Sequence, residues 1–190
     1  MSYVAAAPPR SRPNGWWGML IFVTTEATLF GALLGSYFYL DLLSVNWPQE
    51  GMDPTNGLWP LIPAAALAAT SPLMQLASSA GIRGRGRSAL AILLLALAVQ
   101  AGYFAFEVHD FRADLAVLPP QENAFASIYY TLVGADHAHV VLGLLLSAWL
   151  VLRLLGGLTP YRLTALRAIT LYWHVVVVIT IVVTCATVFE

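Results

Sequence analysis

The chain has 190 residues, of which 59% are hydrophobic and only 10% charged, with a mean hydropathy of +0.74; a soluble domain carries roughly 25% charged residues. A soluble globular domain is thereby excluded, and a membrane protein is the reading. All 9 basic residues are arginine, so chemistry that needs a lysine amine (a retinal or pyridoxal Schiff base, a Walker A phosphate loop) is excluded, and a net charge of -1 offers no basic excess for nucleic acid.

The first stretch, residues 1–15, holds two arginines but no apolar core of signal-peptide length, and is expected to be a disordered cytoplasmic tail. About 20 apolar residues cross a bilayer as a helix. Five runs meet that requirement, at about 16–43, 58–80, 88–108, 124–155 and 163–189. The predicted fold class is therefore all-α: a polytopic membrane bundle of five transmembrane helices, forming one domain over 16–190. The breaks carry turn residues: two prolines and a glycine between Val45 and Asn56, GIRGRGR after the second run, and LPPQEN before the fourth. Pro72 lies inside the second run, where Thr70, Ser71 or a neighbouring helix can satisfy the freed backbone groups, so a kink is expected rather than a break. Cys185, the one cysteine, sits in an apolar run and is read as packing. No internal repeat is visible, which weakens the reading as an inverted-repeat transporter.

Arginines count the sides. Arg10, Arg12, Arg83, Arg85, Arg87, Arg153, Arg162 and Arg167 fall on one side, and Arg112 alone on the other. The positive-inside rule then places the N-terminus in the cytoplasm and, after five spans, the C-terminus outside. Asp41, Glu50, Asp53, Glu107, Asp110, Asp114, Glu122 and Glu190 all fall on or near the outer side. Trp16, Trp17, Trp47 and Trp59 fall at predicted interfaces, as an aromatic belt requires.

The two remaining acids are inside spans. Glu26 lies about ten residues into the first, which at 1.5 Å per residue is ~15 Å deep. A charge there is costly, so the group is either a proton-linked or lipid-linked site or a neutral acid bonded to a neighbouring helix. Asp136 and His139 share one surface of the fourth span, while His137 points to nearly the opposite side and His174 lies at mid-depth in the fifth. Glu26, Asp136, His139 and His174 are thus expected to form one polar layer on three helices. Such a layer suits a proton relay, a packing network, or a haem held between His139 and His174. His109 is expected at the outer interface, and Arg153 to snorkel to the headgroups, where a guanidinium also suits a lipid phosphate.

These residues carry a family resemblance. WWGMLIFVTTEATLFGALLGSYFYL (16–40) resembles the third helix of cytochrome c oxidase subunit III, with its buried glutamate. WPQEGMDPTN (47–56) is similar to that family's external WPP-x-G-x-x-P loop, and FEVHDF (106–111) to its Glu-Tyr-Tyr-Glu segment, matching at Glu107 and, as Asp for Glu, at Asp110. ASIYYTLVGADHAHVVLG (126–143) resembles GSxFFxxTGFHGLHVxxG, and YWHVVVV (172–178) resembles YWHFVDV. The match runs over about residues 16–189 from the family's third helix onward. It is thereby similar to the five-helix short forms of some bacterial cytochrome c and quinol oxidases, and to relatives linked to nitric oxide reductase.

The resemblance implies an accessory, non-catalytic subunit III of a haem-copper terminal oxidase in the bacterial plasma membrane. Its partners would be oxidase subunits I and II, which hold the haems and copper, together with structural phospholipid and a respiratory supercomplex in some cases. The subunit would support proton uptake and protect the catalytic subunit. Glu26 matches the family's buried helix glutamate, Arg153 its lipid-headgroup arginine, His139 the second histidine of FHGLH and His174 the YWH histidine. Asp136 stands where the first FHGLH histidine would be and Val177 where HFVDV has its aspartate, so the polar contacts between those helices must be rearranged. A nitric oxide reductase accessory protein, a haem-binding electron carrier and a proton transporter using Glu26 and Asp136 are the other readings.

Overall fold

The structure is a computed structural model and describes residues 13–45, 47 and 58–189. The tail expected at 1–15 lies outside the described residues as far as residue 12, as do Glu50, Asp53, Glu190 and most of the loop between Trp47 and Asn56. Five helices follow in order: α1 (Asn14–Leu43), α2 (Leu61–Ile82), α3 (Gly86–Val117), α4 (Ala124–Leu155) and α5 (Pro160–Val188). All five are long and apolar enough to cross a membrane.

Local chemistry sets several ends. The Asn123 side chain accepts from the Ala126 N–H and starts α4, and Thr159 does the same for Arg162 ahead of Pro160, which opens α5 three residues before the apolar run begins. α2 runs unbroken through Pro72. The largest departure from the sequence reading is α3, which continues nine residues past Val108 to Val117. Hydropathy falls there, yet no glycine or proline interrupts the chain until Pro119, which disfavours helix at Leu118. Asp110, Arg112 and Asp114 therefore stand on a helix, not in a loop.

Helix α5 is central. It packs against α1, α2 and α4; α3 closes the ring by packing on α2 and α4 without a close backbone approach to α5, and α1 packs on α4 with no such approach to α2. Trp173 on α5 is fully buried, with Leu67 and Met74 of α2, Leu93 of α3 and Leu150 of α4. Burial among apolar lipid brings little transfer energy, so close packing and interhelical hydrogen bonds must hold these helices together. Two glycines permit it. A Cβ at Gly143 would stand 2.7 Å from the Trp173 ring, and one at Gly81 3.0 Å from Leu166. Leu29 on α1, Leu95 on α3 and Val178 on α5 are exposed, as lipid-facing positions are.

The alternating helices bring the arginines together. Gly15 approaches Thr164 and Gly86 approaches Leu158, so the start of α1 and the α2–α3 and α4–α5 junctions meet at one end of the bundle. Arg83, Arg85, Arg87, Arg153, Arg162 and Arg167 all belong to that end, and Arg112 to the other.

Candidate functional site

Depth alone places Glu26, Asp136, His139 and His174 in one layer; the structure divides that layer into separate contacts. Glu26 on α1 meets His139 on α4, with Oε2 2.5 Å from Nε2 and both side chains largely buried. The other ring nitrogen, Nδ1, lies 2.7 Å from the Ala135 carbonyl. A carbonyl only accepts, so Nδ1 carries a hydrogen. The Nε2 to Oε2 contact then holds one shared proton, and the pair is neutral overall whichever atom bears it. Phe30 sets its ring edge-on to His139 at 5.1 Å, and the Tyr172 hydroxyl donates to the His139 carbonyl at 2.8 Å.

Asp136 turns elsewhere. It is buried, and its Oδ1 accepts from Thr180 of α5 at 2.8 Å. Thr180 was not among the sequence candidates, because a threonine in an apolar run carries no mark until its helix is rotated into place. Its replacement by valine is expected to cost about 1 kcal/mol, the scale of one interhelical hydrogen bond in a membrane, with Thr180→Ser costing less. Unfolding in mixed micelles with rising dodecyl sulfate measures both.

His174 does not face His139. Tyr172 points to α4, and two residues further along α5 the direction has turned by about 200°, so His174 faces α2. There Nε2 donates to Gln75 Oε1 at 3.3 Å and Nδ1 accepts from the Ser71 hydroxyl at 2.5 Å, the arrangement of a neutral imidazole. Both histidines have both ring nitrogens engaged on different helices, so the facing pair needed for a haem between them is not formed. Among the described residues, no group of three or more His, Cys, Asp or Glu side chains is placed to hold a metal ion.

His137 has more company than its position away from His139 suggested. It lies against α3, between Phe104 and Phe111, with Nε2 3.8 Å from Glu107 Oε2. Glu107, Asp110 and Asp114 line a cavity with Asp136 and His137. His109 is exposed, as expected. Arg153 is exposed at the arginine end, with its guanidinium 5.6 Å above the Trp149 ring.

Residues 13–189 match the sequence model of the family described as Cytochrome c oxidase subunit III. The chain belongs to that family. Among its relatives, cytochrome bo(3) ubiquinol oxidase subunit 3 of Pseudomonas aeruginosa is 28% identical over 163 residues, covering 85% of this chain and 78% of the relative. Cytochrome c oxidase subunit 3 of Gallus gallus is 28% identical over 175 residues, 86% of this chain but 64% of the relative. Cytochrome c oxidase subunit 3 of Thermostichus vulcanus is 26% identical over 167 residues, 87% and 82% of the two chains. The chain thus spans under two thirds of the length of the chicken protein it matches. In this subunit III relative the contacts between α4 and α5 run through Asp136–Thr180, Tyr172 to the His139 carbonyl, and Trp173 Nε1 to Ser147 at 2.8 Å.

Proposed function

We propose that this chain is a non-catalytic accessory subunit of a haem-copper terminal oxidase in aerobic electron transport. The observation that carries this reading is the family match over the whole membrane domain. It assembles with oxidase subunits I and II, which hold the haems and copper, and can enter a respiratory supercomplex. It sits in a bacterial plasma membrane with its arginine end in the cytoplasm, where the positive-inside rule places it, and its C-terminus outside. The intramembrane polar groups support a structural part: Glu26 with His139, and His174 with Ser71 and Gln75, are spent on joining helices. Arg153 and the rim of the Glu26 site are the positions for phospholipid, and the subunit supports proton uptake and stability of the catalytic subunit.

Purification in mild detergent through a tag on this chain tests the reading. Haem absorption bands are expected to arrive with a large many-helix subunit and to vanish when this chain is isolated alone. A colourless single species from cells that make the oxidase overturns it, and bands retained by the isolated chain would favour an electron carrier.

A further inference from the structure

The backbones of α3 and α5 do not approach closely, and a cavity of about 210 Å³ lies between them, walled on one side by α4. That volume holds several water molecules, each needing roughly 10–15 Å³ by such a measure. Its upper lining includes Trp59, just before α2, Asp114 near the end of α3, and Thr187 near the end of α5, all at the end of the bundle opposite the arginine loops. Its lower lining is Asp136, twelve residues into α4, or about 18 Å along the helix. A cavity lined in part by acids therefore runs from the end of the bundle opposite the arginine loops to the middle of α4.

Its chemistry is one-sided. Glu107, Asp110, Asp114 and Asp136 line it, and no arginine does. A second, independent feature is an unpartnered polar atom in its wall. His137 Nδ1 lies 2.7 Å from the Val133 carbonyl and so bears a hydrogen, which leaves Nε2 as an acceptor. That Nε2 is enclosed, makes no hydrogen bond to the described residues, and lies 3.8 Å from Glu107 Oε2. This is too long for a direct bond, so a buried acceptor stands unpartnered beside the cavity.

We propose that this cavity is a water-filled vestibule that takes up protons from the aqueous phase at the acidic end of the bundle and carries them as far as Asp136. Hydronium gives its proton to a carboxylate oxygen of Glu107 or Asp136 and leaves as water; release is the reverse. The groups facing this exchange are Tyr103 with the three acids of α3, Tyr129 of α4, and the hydroxyls of Thr180 and Thr184 on α5. His139, one turn beyond Asp136 on α4, is the next titratable group inward. The vestibule rests on this chain's own residues and does not depend on the oxidase reading.

Thiol labelling in native membranes, with the protein in its own complex, tests it. In a Cys185→Ser background, Val133→Cys places a thiol on the cavity wall, and Val178→Cys places one on the lipid face of α5. A charged, membrane-impermeant methanethiosulfonate added from the acidic-end side is expected to label Val133→Cys at least about tenfold faster, since the reactive thiolate forms only in water. Thr184→Cys, on the opposite wall, is the second probe if the first variant does not assemble. Equal rates, or labelling only from the arginine-end side, overturn the proposal. For the proton itself, the infrared carboxyl band lost in Asp136→Asn is expected to shift within seconds of transfer to D₂O; a band that stays unshifted overturns it.

Discussion

Trp173→Ala is expected to lower the stability of the bundle by about 2–4 kcal/mol, the largest effect of any single truncation on α5. In a soluble core the same change costs about 3–5 kcal/mol. The membrane keeps the packing part of that cost and loses much of the transfer part, because the reference state is already apolar. Trp173 is nevertheless the side chain with most to lose. It is fully buried, it rests on Gly143 so closely that a Cβ there would stand 2.7 Å from the ring, and its indole N–H is bonded to Ser147. Removing it empties a space that the small residue opposite cannot fill. Gly143→Ala is expected to act in the same direction by overpacking, at about 1–3 kcal/mol. In the double variant the methyl enters the space left by the indole, so the two costs are expected to be less than additive. Fluorescence and circular dichroism across a dodecyl sulfate titration read all three.

The second large effect is expected at Glu26. Glu26→Ala strands the His139 Nε2 that it meets at 2.5 Å, and loss of one partner of a buried, proton-sharing pair is expected to cost about 2–4 kcal/mol. Glu26→Gln keeps an oxygen and an N–H at the same place, so its cost is expected to stay near 1 kcal/mol. The contrast separates a contact that needs the shared proton from one that needs only a hydrogen bond. In the assembled complex, the accessory role predicts that Glu26→Ala leaves the initial rate of O₂ reduction intact and shortens the lifetime of activity or the retention of lipid. Loss of O₂ reduction from the first turnover, in a complex of normal composition, would sink that role.

The five helices, their order and the arginine end were legible in the sequence. Hydropathy and charge are properties of a position along the chain, and a bilayer reads the chain in that one dimension. The end of α3 was legible in part only: hydropathy stops at Val108, whereas backbone hydrogen bonding continues until a residue breaks it, and Pro119 is the first that does.

What only the tertiary structure decided is the direction in which each polar group points and what it meets there. His139 and His174 share a depth, yet one faces Glu26 on α1 and the other faces Ser71 and Gln75 on α2. Asp136 found Thr180, and His137 found Glu107, through pairings between helices distant in sequence. The vestibule exists because α3 and α5 stand apart while both lean on α4. Rotation of a helix about its axis is set by how small residues such as Gly143 and large ones such as Trp173 fit across an interface. That fit belongs to pairs of helices, so the polar partners it selects are fixed by packing, whereas the membrane spans follow from each segment alone.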